Sequence, residues 1–228
     1  MCSNLGVLAL SEQQKDCLRS AIEIFAFPSH YFDFPRNCPN HLPSIRAVEI
    51  AISTELKAGD PERVKNGLSN VLYWGYAQMG IRDTRVQRFR TKVTSSQLKQ
   101  ASDLFRRSQP PSIIEIKKLH LPEFSGLSFV SKVRMFLDPN QSATLDLQIM
   151  KIHKECPTTV LAMIGRSETQ IPLTIENSNA YEAWCRRMID ISRMYFSGSF
   201  RAVDVERGFF QLIQSGTVKL AAQILNDA

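Results

Sequence analysis

The residues best suited to chemistry lie in one stretch, 121–152, where a glycine-containing turn, a lysine and an aspartate follow one another. Gly126 falls in a tight turn between two predicted helices, and Lys132 lies in the second helix. Asp146 follows an Asp138-Pro139-Asn140 turn and stands at the predicted start of a third helix. A carboxylate placed there can orient or deprotonate water and stabilise positive charge on a reacting carbon.

The turn around Gly126 is suited to holding a phosphate group. The first N–H groups of a helix have no partner inside it, and the helix dipole adds positive potential at that end. Such a site grips a phosphate without reading base sequence. The sequence predicts that Ser128 caps the second helix. It also predicts a nucleic-acid contact formed by Ser125, Gly126, Leu127 and Ser128.

Both candidate catalytic residues also have simpler explanations. Aspartate is a common helix cap, so Asp146 could serve the fold alone. A lysine nucleophile must be neutral near pH 7, which requires desolvation or a neighbouring cation. Only Arg134 is close to Lys132 in the sequence, and a phosphate contact or a solvated helix residue is the commoner role. Water rather than Lys132 is therefore expected to attack.

This stretch resembles the helix-hairpin-helix DNA glycosylase superfamily, most closely its 8-oxoguanine DNA glycosylase-like members. The family pattern is Leu-Pro-Gly-Val-Gly, a helix, a turn and a hydrophobic residue followed by Asp. Leu121-Pro122, Leu137-Asp138 and Leu145-Asp146 match it with the same spacing. The resemblance implies a glycosylase that binds duplex DNA, flips out a modified base and hydrolyses its N-glycosidic bond, with Asp146 as the catalytic carboxylate.

The chain also departs from the family pattern in the hairpin and at the nucleophile. Glu123 and Ser125 replace the two hairpin glycines, and Gln148 stands where many members have histidine. Leu127 occupies the position of the lysine nucleophile. Lys132, five residues later, is rotated about 140° around a helix and would have to reach the pocket from another face. These departures imply a monofunctional enzyme without lysine-dependent lyase activity.

Residues upstream of the hairpin supply further candidate DNA contacts. The segment 81–120 contains ten Lys/Arg and three Asp/Glu, a net charge of +7, while the whole chain carries +6. Clustered positive charge favours a polyanionic partner, although an ordinary solvated face is the alternative. Gln78, near a helix end, could fill the space left by a flipped base. A basic stripe along one side of the next helix is formed by Arg82, Arg85, Arg88 and Lys92.

Helical periodicity dominates, so the predicted fold is mostly α, a two-lobed helical DNA glycosylase fold with a helix-hairpin-helix motif. N-terminal helices in 1–59 are expected to pack on a glycosylase-like domain, 60–228, with the hairpin and the aspartate within 113–153. Helix starts are predicted near Ser11, Ser44 and Asp60 from their capping residues. The sequence further predicts an extended loop at 27–43, a short strand or hairpin within 160–175, and core packing for Tyr73, Trp74 and Tyr76.

Several functional classes are excluded or disfavoured by absent motifs. No Gly-rich phosphate loop and no G-x-S-x-G sequence occur. The N-terminus lacks a secretory signal pattern, and no apolar run reaches the length of a membrane helix. Cys38 and His41 have no second pair nearby, so neither metal nor another cofactor is expected. Five unpatterned cysteines suit a reducing compartment, and a cytoplasmic, nucleoid-associated monomer is expected.

Three functional hypotheses remain open at this level. The first is excision of a modified base, with the base unspecified and hypermodified bases such as those of phage genomes included. The second is a non-catalytic DNA-binding protein that keeps the same fold. The third is a helical protein-interaction scaffold in which the pattern match is accidental. Salt-sensitive DNA binding separates the third from the others.

Overall fold

The computed structural model describes residues 9–228, which form a mostly helical structure and confirm the predicted class. This part of the chain contains eleven α-helices, one 3₁₀ helix (Val160–Met163) and a two-stranded sheet. The strands are β1 (His30–Asp33) and β2 (Cys38–His41). The helices are α1 (Glu12–Glu23), α2 (Ile45–Leu56), α3 (Pro61–Gly75), α4 (Arg82–Lys92), α5 (Ser95–Phe105), α6 (Ile113–Lys117), α7 (Leu127–Leu137), α8 (Lys151–Glu155), α9 (Ile175–Phe196), α10 (Ala202–Gln214) and α11 (Val218–Asp227).

Local capping chemistry determines where the early helices begin. Ser11, Ser44 and Asp60 each accept a hydrogen bond at the N-terminus of α1, α2 and α3 respectively, as predicted. The predicted loop 27–43 is wrong in part, because β1 and β2 form an antiparallel hairpin there. The expected strand within 160–175 is replaced by the 3₁₀ helix and a single bridge between Pro172 and Gly126.

The two ends of the described chain pack against each other around one hydrophobic core. Helix α1 lies along α10, while α2 packs on α3 and α7. The α1–α10 contact is close at Gly208, where a Cβ atom would lie 2.6 Å from Ile22 Cγ1. Residues 9–59 therefore share their core with the last third of the chain.

The turn before α7 differs from the predicted capping arrangement. The N-cap of α7 is Gly126, which has no side chain to accept a hydrogen bond, and Ser128 lies inside the first helical turn. The expectation that Ser128 caps this helix is therefore wrong. Glu123 has a φ of +67°, a left-handed conformation that favours glycine. The backbone thus adopts a glycine-like conformation at a position where the resembled pattern has glycine.

No helix in residues 9–228 combines the length and apolarity needed to cross a membrane. The same part of the chain has no cluster of three or more His, Cys, Asp or Glu side chains arranged to hold a metal ion. Cys17, Cys38, Cys156 and Cys185 are free thiols, and Cys2 lies outside the described residues. Burial raises the pKa of the Cys185 thiol to about 12, so this thiol is neutral and serves packing.

Candidate active site

Asp146 is held at the end of an irregular segment, 143–146, that is hydrogen-bonded to α7 and α9. Five hydrogen bonds join main-chain groups of 143–145 to side chains of α7 and α9, and three of them are 3.1 Å or shorter. These three run from Tyr181 Oη to the Ala143 carbonyl (2.9 Å), from Trp184 Nε1 to the Thr144 carbonyl (2.9 Å), and from the Leu145 N–H to Ser131 Oγ (3.1 Å). Because Tyr181, Trp184 and Ser131 are all buried, the position of Asp146 is set by the core.

The two carboxylate oxygens of Asp146 have different partners. Oδ1 accepts the N–H groups of Gln148 (2.9 Å) and Ile149 (3.3 Å), which caps the turn that follows. Oδ2 lies 3.3 Å from Lys132 Nζ. The helix expected to begin at Asp146 begins at Lys151 instead, after this turn. Asp146 therefore serves the fold through one oxygen, and its other oxygen is paired with a cation.

Lys132 approaches Asp146 from α7. It lies on a different face of this helix from Leu127, as the sequence indicates. Its Nζ also donates to the Ser128 carbonyl (3.2 Å) and lies 5.3 Å from the ring centre of Phe129. Lys132 is 8% exposed, whereas Leu127 faces the core. Gly75 allows the close approach, because a Cβ atom there would lie 3.3 Å from Lys132 Cδ and 2.6 Å from Phe129. The structure therefore brings the two candidate catalytic residues together.

Asp146 and Lys132 line a small cavity, here called the inner cavity, of about 140 Å³. Its walls come from the segment after α1, the end of α3, the segment 144–148 and α10. Four aromatic rings form one side, and the Phe27 and Trp74 ring centres lie 4.8 Å apart. The complete lining is Phe25, Phe27, Trp74, Gly75, Gln78, Met79, Lys132, Thr144, Asp146, Gln148, Glu206, Arg207, Phe210 and Gln214.

Two charged residues of the inner cavity, Glu206 and Arg207, were missed by the sequence reasoning. Glu206 is 3% exposed and Arg207 is 5% exposed. Burial, to which the charge of Asp146 adds, raises the pKa of the Glu206 carboxyl to about 7, although a hydrogen bond with Thr144 and the charges of Arg207 and Lys132 oppose this shift. Two consecutive charged residues between Val205 and Gly208 on an apolar helix face were the available signal.

A wider depression of about 550 Å³, here called the outer groove, adjoins the inner cavity and shares Lys132 and Asp146 with it. Four of the predicted nucleic-acid contacts lie here: Arg85, Ser125, Gly126 and Ser128. The N–H groups of Ser128 and Phe129 have no acceptor within the described part of the chain. The groove therefore offers main-chain donors and a cation next to the carboxylate.

The other predicted contacts have different surroundings. Gln78 lines the inner cavity rather than the outer groove. Leu127 needs correction as a contact, because its side chain is fully buried and its N–H donates to the Ile171 carbonyl (2.9 Å). Arg82 lies outside both depressions, where it stacks on the Tyr73 ring at 4.1 Å and pairs with Asp83.

Glu123 partly neutralises the basic stripe of α4. Its carboxylate is 2.8 Å from Arg85 and 3.5 Å from Arg88, and the Glu123 side chain is only 7% exposed. The aromatic expectation is also corrected in part: Tyr73 and Trp74 are buried as predicted, but Trp74 borders the inner cavity and Tyr76 the outer groove. Fewer cations are free on this face than the net charge of the segment suggested.

The raised pKa of Glu206 predicts a pH-dependent stability. In the folded protein Glu206 keeps its proton up to about pH 7, whereas an ordinary glutamate in the unfolded chain loses it near pH 4.5. The resulting contribution to stability is fully present below pH 4.5 and is lost as the pH rises to 7. The wild type should lose about 2 kcal/mol of unfolding free energy between pH 5 and pH 8 through this group. Glu206→Gln cannot ionise here, so it should not show this loss. Urea denaturation at the two pH values measures this difference.

Glu168→Gln is the matched control, since Glu168 is exposed and makes no ion pair with residues 9–228. Its free energy of unfolding should follow that of the wild type at both pH values. An identical pH response of Glu206→Gln and wild type would contradict the raised pKa.

Comparison of the chain with protein-family models, with curated proteins and with solved structures finds no match in any of the three.

Proposed function

We propose that this chain is a DNA N-glycosylase with a helix-hairpin-helix fold that removes a modified base from duplex DNA. One observation carries the proposal: the Lys132–Asp146 pair stands at the junction of an aromatic cavity and a groove edged by free main-chain donors. An enzyme that acts on a base must take the base out of the helical stack into a pocket. The two-lobed arrangement and the division at residue 60 stay predictions.

The outer groove is the proposed contact for the sugar–phosphate backbone. The free N–H groups of Ser128 and Phe129 lie at the positive end of α7, where an anion is stabilised. Arg85, which is 37% exposed, adds a cation that Glu123 partly neutralises at 2.8 Å. Contacts of this kind hold the strand without selecting a sequence, which suits an enzyme that surveys many sites.

The inner cavity is the proposed pocket for the extruded base. An engineered protein cavity of about 150 Å³ binds benzene, so a space of this size accepts a planar ring. The rings of Phe25, Phe27, Trp74 and Phe210 offer faces for stacking. Gln78 lies in the turn that follows α3 and lines this cavity. We propose that its side chain enters the space that the base leaves in the duplex.

The proposed reaction breaks the bond between the sugar C1′ and the base nitrogen. The base leaves with the bonding electrons, and the Asp146 carboxylate stabilises the positive charge that develops on the sugar. Water then adds its oxygen to C1′, and the proton that it loses passes to the released base, which departs neutral. Lys132 holds the Asp146 carboxylate in position through the 3.3 Å contact.

A panel of duplexes carrying different modified bases tests the proposal. After incubation with the protein, hot alkali cleaves any abasic site that base removal has produced. The panel should include oxidised, alkylated, deaminated and hypermodified bases, each read as strand breaks that require both protein and alkali. If no duplex yields such breaks while the protein binds DNA in a salt-dependent manner, the non-catalytic DNA-binding alternative is favoured.

A second candidate chemistry is attack by Lys132 on C1′, which would give an imine and strand scission. The position of Lys132 favours it, because this buried residue lines the cavity proposed for the base. The 3.3 Å contact with the Asp146 carboxylate opposes it, because Nζ is already engaged as a donor to that group. The ion pair therefore supports the water-using reaction.

Lys132→Gln is expected to lower the rate of base removal by about ten- to a hundredfold, because Asp146 loses a charge-assisted contact. Wild-type protein should give no strand breaks before alkali and no covalent complex with borohydride. Single-turnover cleavage and trapping gels measure both results, with Lys151→Gln, an exposed lysine, as control. A trapped complex that disappears in Lys132→Gln would establish the lysine nucleophile instead.

A further inference from the structure

The carboxylate of Glu123 bridges two arginines of α4 at the edge of the outer groove. Its Oε2 lies 2.8 Å from Arg85 Nη1, and its Oε1 lies 3.5 Å from Arg88 Nη1. The Glu123 side chain is only 7% exposed, whereas the side chains of Arg85 and Arg88 are 37% and 46% exposed. An almost buried carboxylate therefore joins two guanidinium groups that remain open to solvent.

A backbone phosphate of DNA has the features by which these arginines hold Glu123. Like a carboxylate, it carries one negative charge shared by two oxygens, and arginine donates to both kinds of group. A guanidinium has more N–H donors than one such contact uses, and neither arginine forms another ion pair within residues 9–228. The two side chains therefore form an anion site, and its occupant in this structure is a side chain of the protein itself.

The arginine pair adjoins the main-chain donors at the start of α7. Arg88 follows Arg85 by three residues, so both lie on one side of α4. The outer groove is lined by Arg85 and Glu123 and, further along, by Ser125, Gly126 and Ser128. A DNA strand lying along this groove therefore meets the Glu123 carboxylate at the place where it would otherwise meet two cations.

We infer that Arg85 and Arg88 form a phosphate site for duplex DNA, which the Glu123 carboxylate occupies in the free protein and a backbone phosphate takes over on binding. This inference rests on the proposed function, since it uses the outer groove as the contact for the sugar–phosphate backbone. Each phosphate bound there replaces an ion pair that already exists, so Glu123 lowers the affinity for any duplex. The effect does not depend on base sequence, because only the backbone is contacted.

Binding of the whole protein to an unmodified duplex tests the exchange. Fluorescence anisotropy of a labelled duplex, repeated at several salt concentrations, gives the dissociation constant and its salt dependence. Glu123→Gln removes the competing charge, so it should bind about three- to tenfold more tightly at physiological salt. The slope of log affinity against log salt should become steeper by about one, because one more cation is available to the phosphates.

Glu123→Gly is a second variant, because glycine adopts the left-handed conformation of this residue (φ +67°) without strain. It lacks the same carboxylate and should show the same gain in affinity. Asp103→Asn is the matched control: Asp103 pairs with Arg106 at 3.4 Å in the same basic segment, but neither residue lines the outer groove. It changes the net charge equally, and its affinity should stay within about twofold of the wild type because salt screens distant charges.

In a protein that also carries Arg85→Gln and Arg88→Gln, Glu123→Gln should no longer steepen the salt dependence, because the site itself is missing. Unchanged or weaker binding by Glu123→Gln would overturn the inference, and so would an equal gain in Asp103→Asn. Base removal in the duplex panel without a gain in the Glu123 variants would remove the inference alone. A gain in affinity without any base removal would leave the inference standing and end the glycosylase proposal.

Discussion

Asp146→Asn is expected to lower the rate of base removal by about 10²- to 10⁴-fold, the range usual for loss of a catalytic acid or base. Asparagine keeps the oxygen that caps the turn at Gln148 and Ile149, so the local fold should survive. The variant loses the charge that stabilises the sugar cation and the partner of Lys132. Single-turnover cleavage with the best duplex of the panel measures the rate.

DNA affinity separates a catalytic defect from a binding defect. The variant removes a negative charge beside the outer groove, so its affinity for duplex DNA should equal or exceed that of the wild type. Asp138→Asn is the matched control, because Asp138 also caps a turn but lines neither the inner cavity nor the outer groove. A wild-type rate in Asp146→Asn would remove the central residue of the mechanism and favour the non-catalytic alternative.

Glu49→Gln is expected to lower the free energy of unfolding by about 3 kcal/mol, because it removes the fully buried anion that two guanidinium groups share and leaves only Asp204 beside them. Glu49 is 3% exposed and pairs with both Arg201 and Arg207. Burial alone would lower the pKa of Arg201, but the hydrogen bonds to Asp204 and Glu49 outweigh it and raise this pKa. Urea denaturation near pH 7 measures the loss.

Glu12→Gln is the matched control, since the Glu12–Lys15 pair is exposed and its loss should change stability little. The comparison also tests how residues 9–59 are attached, because Glu49 lies in α2 and its two partners lie at the start of α10 and within it. Similar stability of Glu49→Gln and Glu12→Gln would show that this buried cluster does not hold α2 to α10.

The two candidate catalytic residues could be selected from the sequence because they lie in one short stretch, but their contact was not predicted. Asp146 follows a turn, and Lys132 lies one helix earlier, so local structure brings both to the same region. The predicted rotation of about 140° between Leu127 and Lys132 agrees with the structure, since Leu127 faces the core and Lys132 lines the cavity. Helix geometry could not predict which face of α7 borders the cavity, because the cavity is formed with residues of α3 and α10.

Two errors in the hairpin have a common physical cause. Ser128 was expected to cap α7 and Leu127 to offer an N–H, but the chain at 171–172 bridges to the turn and takes the Leu127 donor. A contact between segments more than forty residues apart leaves no mark in local capping patterns. The positive φ of Glu123 is likewise invisible in the sequence, because glutamate rarely adopts it.

The sequence by itself determined the helical class and the starts of α1, α2 and α3, because caps and periodicity act between near neighbours. Only the tertiary structure decided which side chains surround the two candidate catalytic residues. Phe27, Trp74, Glu206 and Arg207 come from three distant segments, and they meet because α1 and α10 pack together beside the end of α3. The buried charge of Glu49 completes this arrangement, since two guanidinium groups remain in the interior only beside an anion.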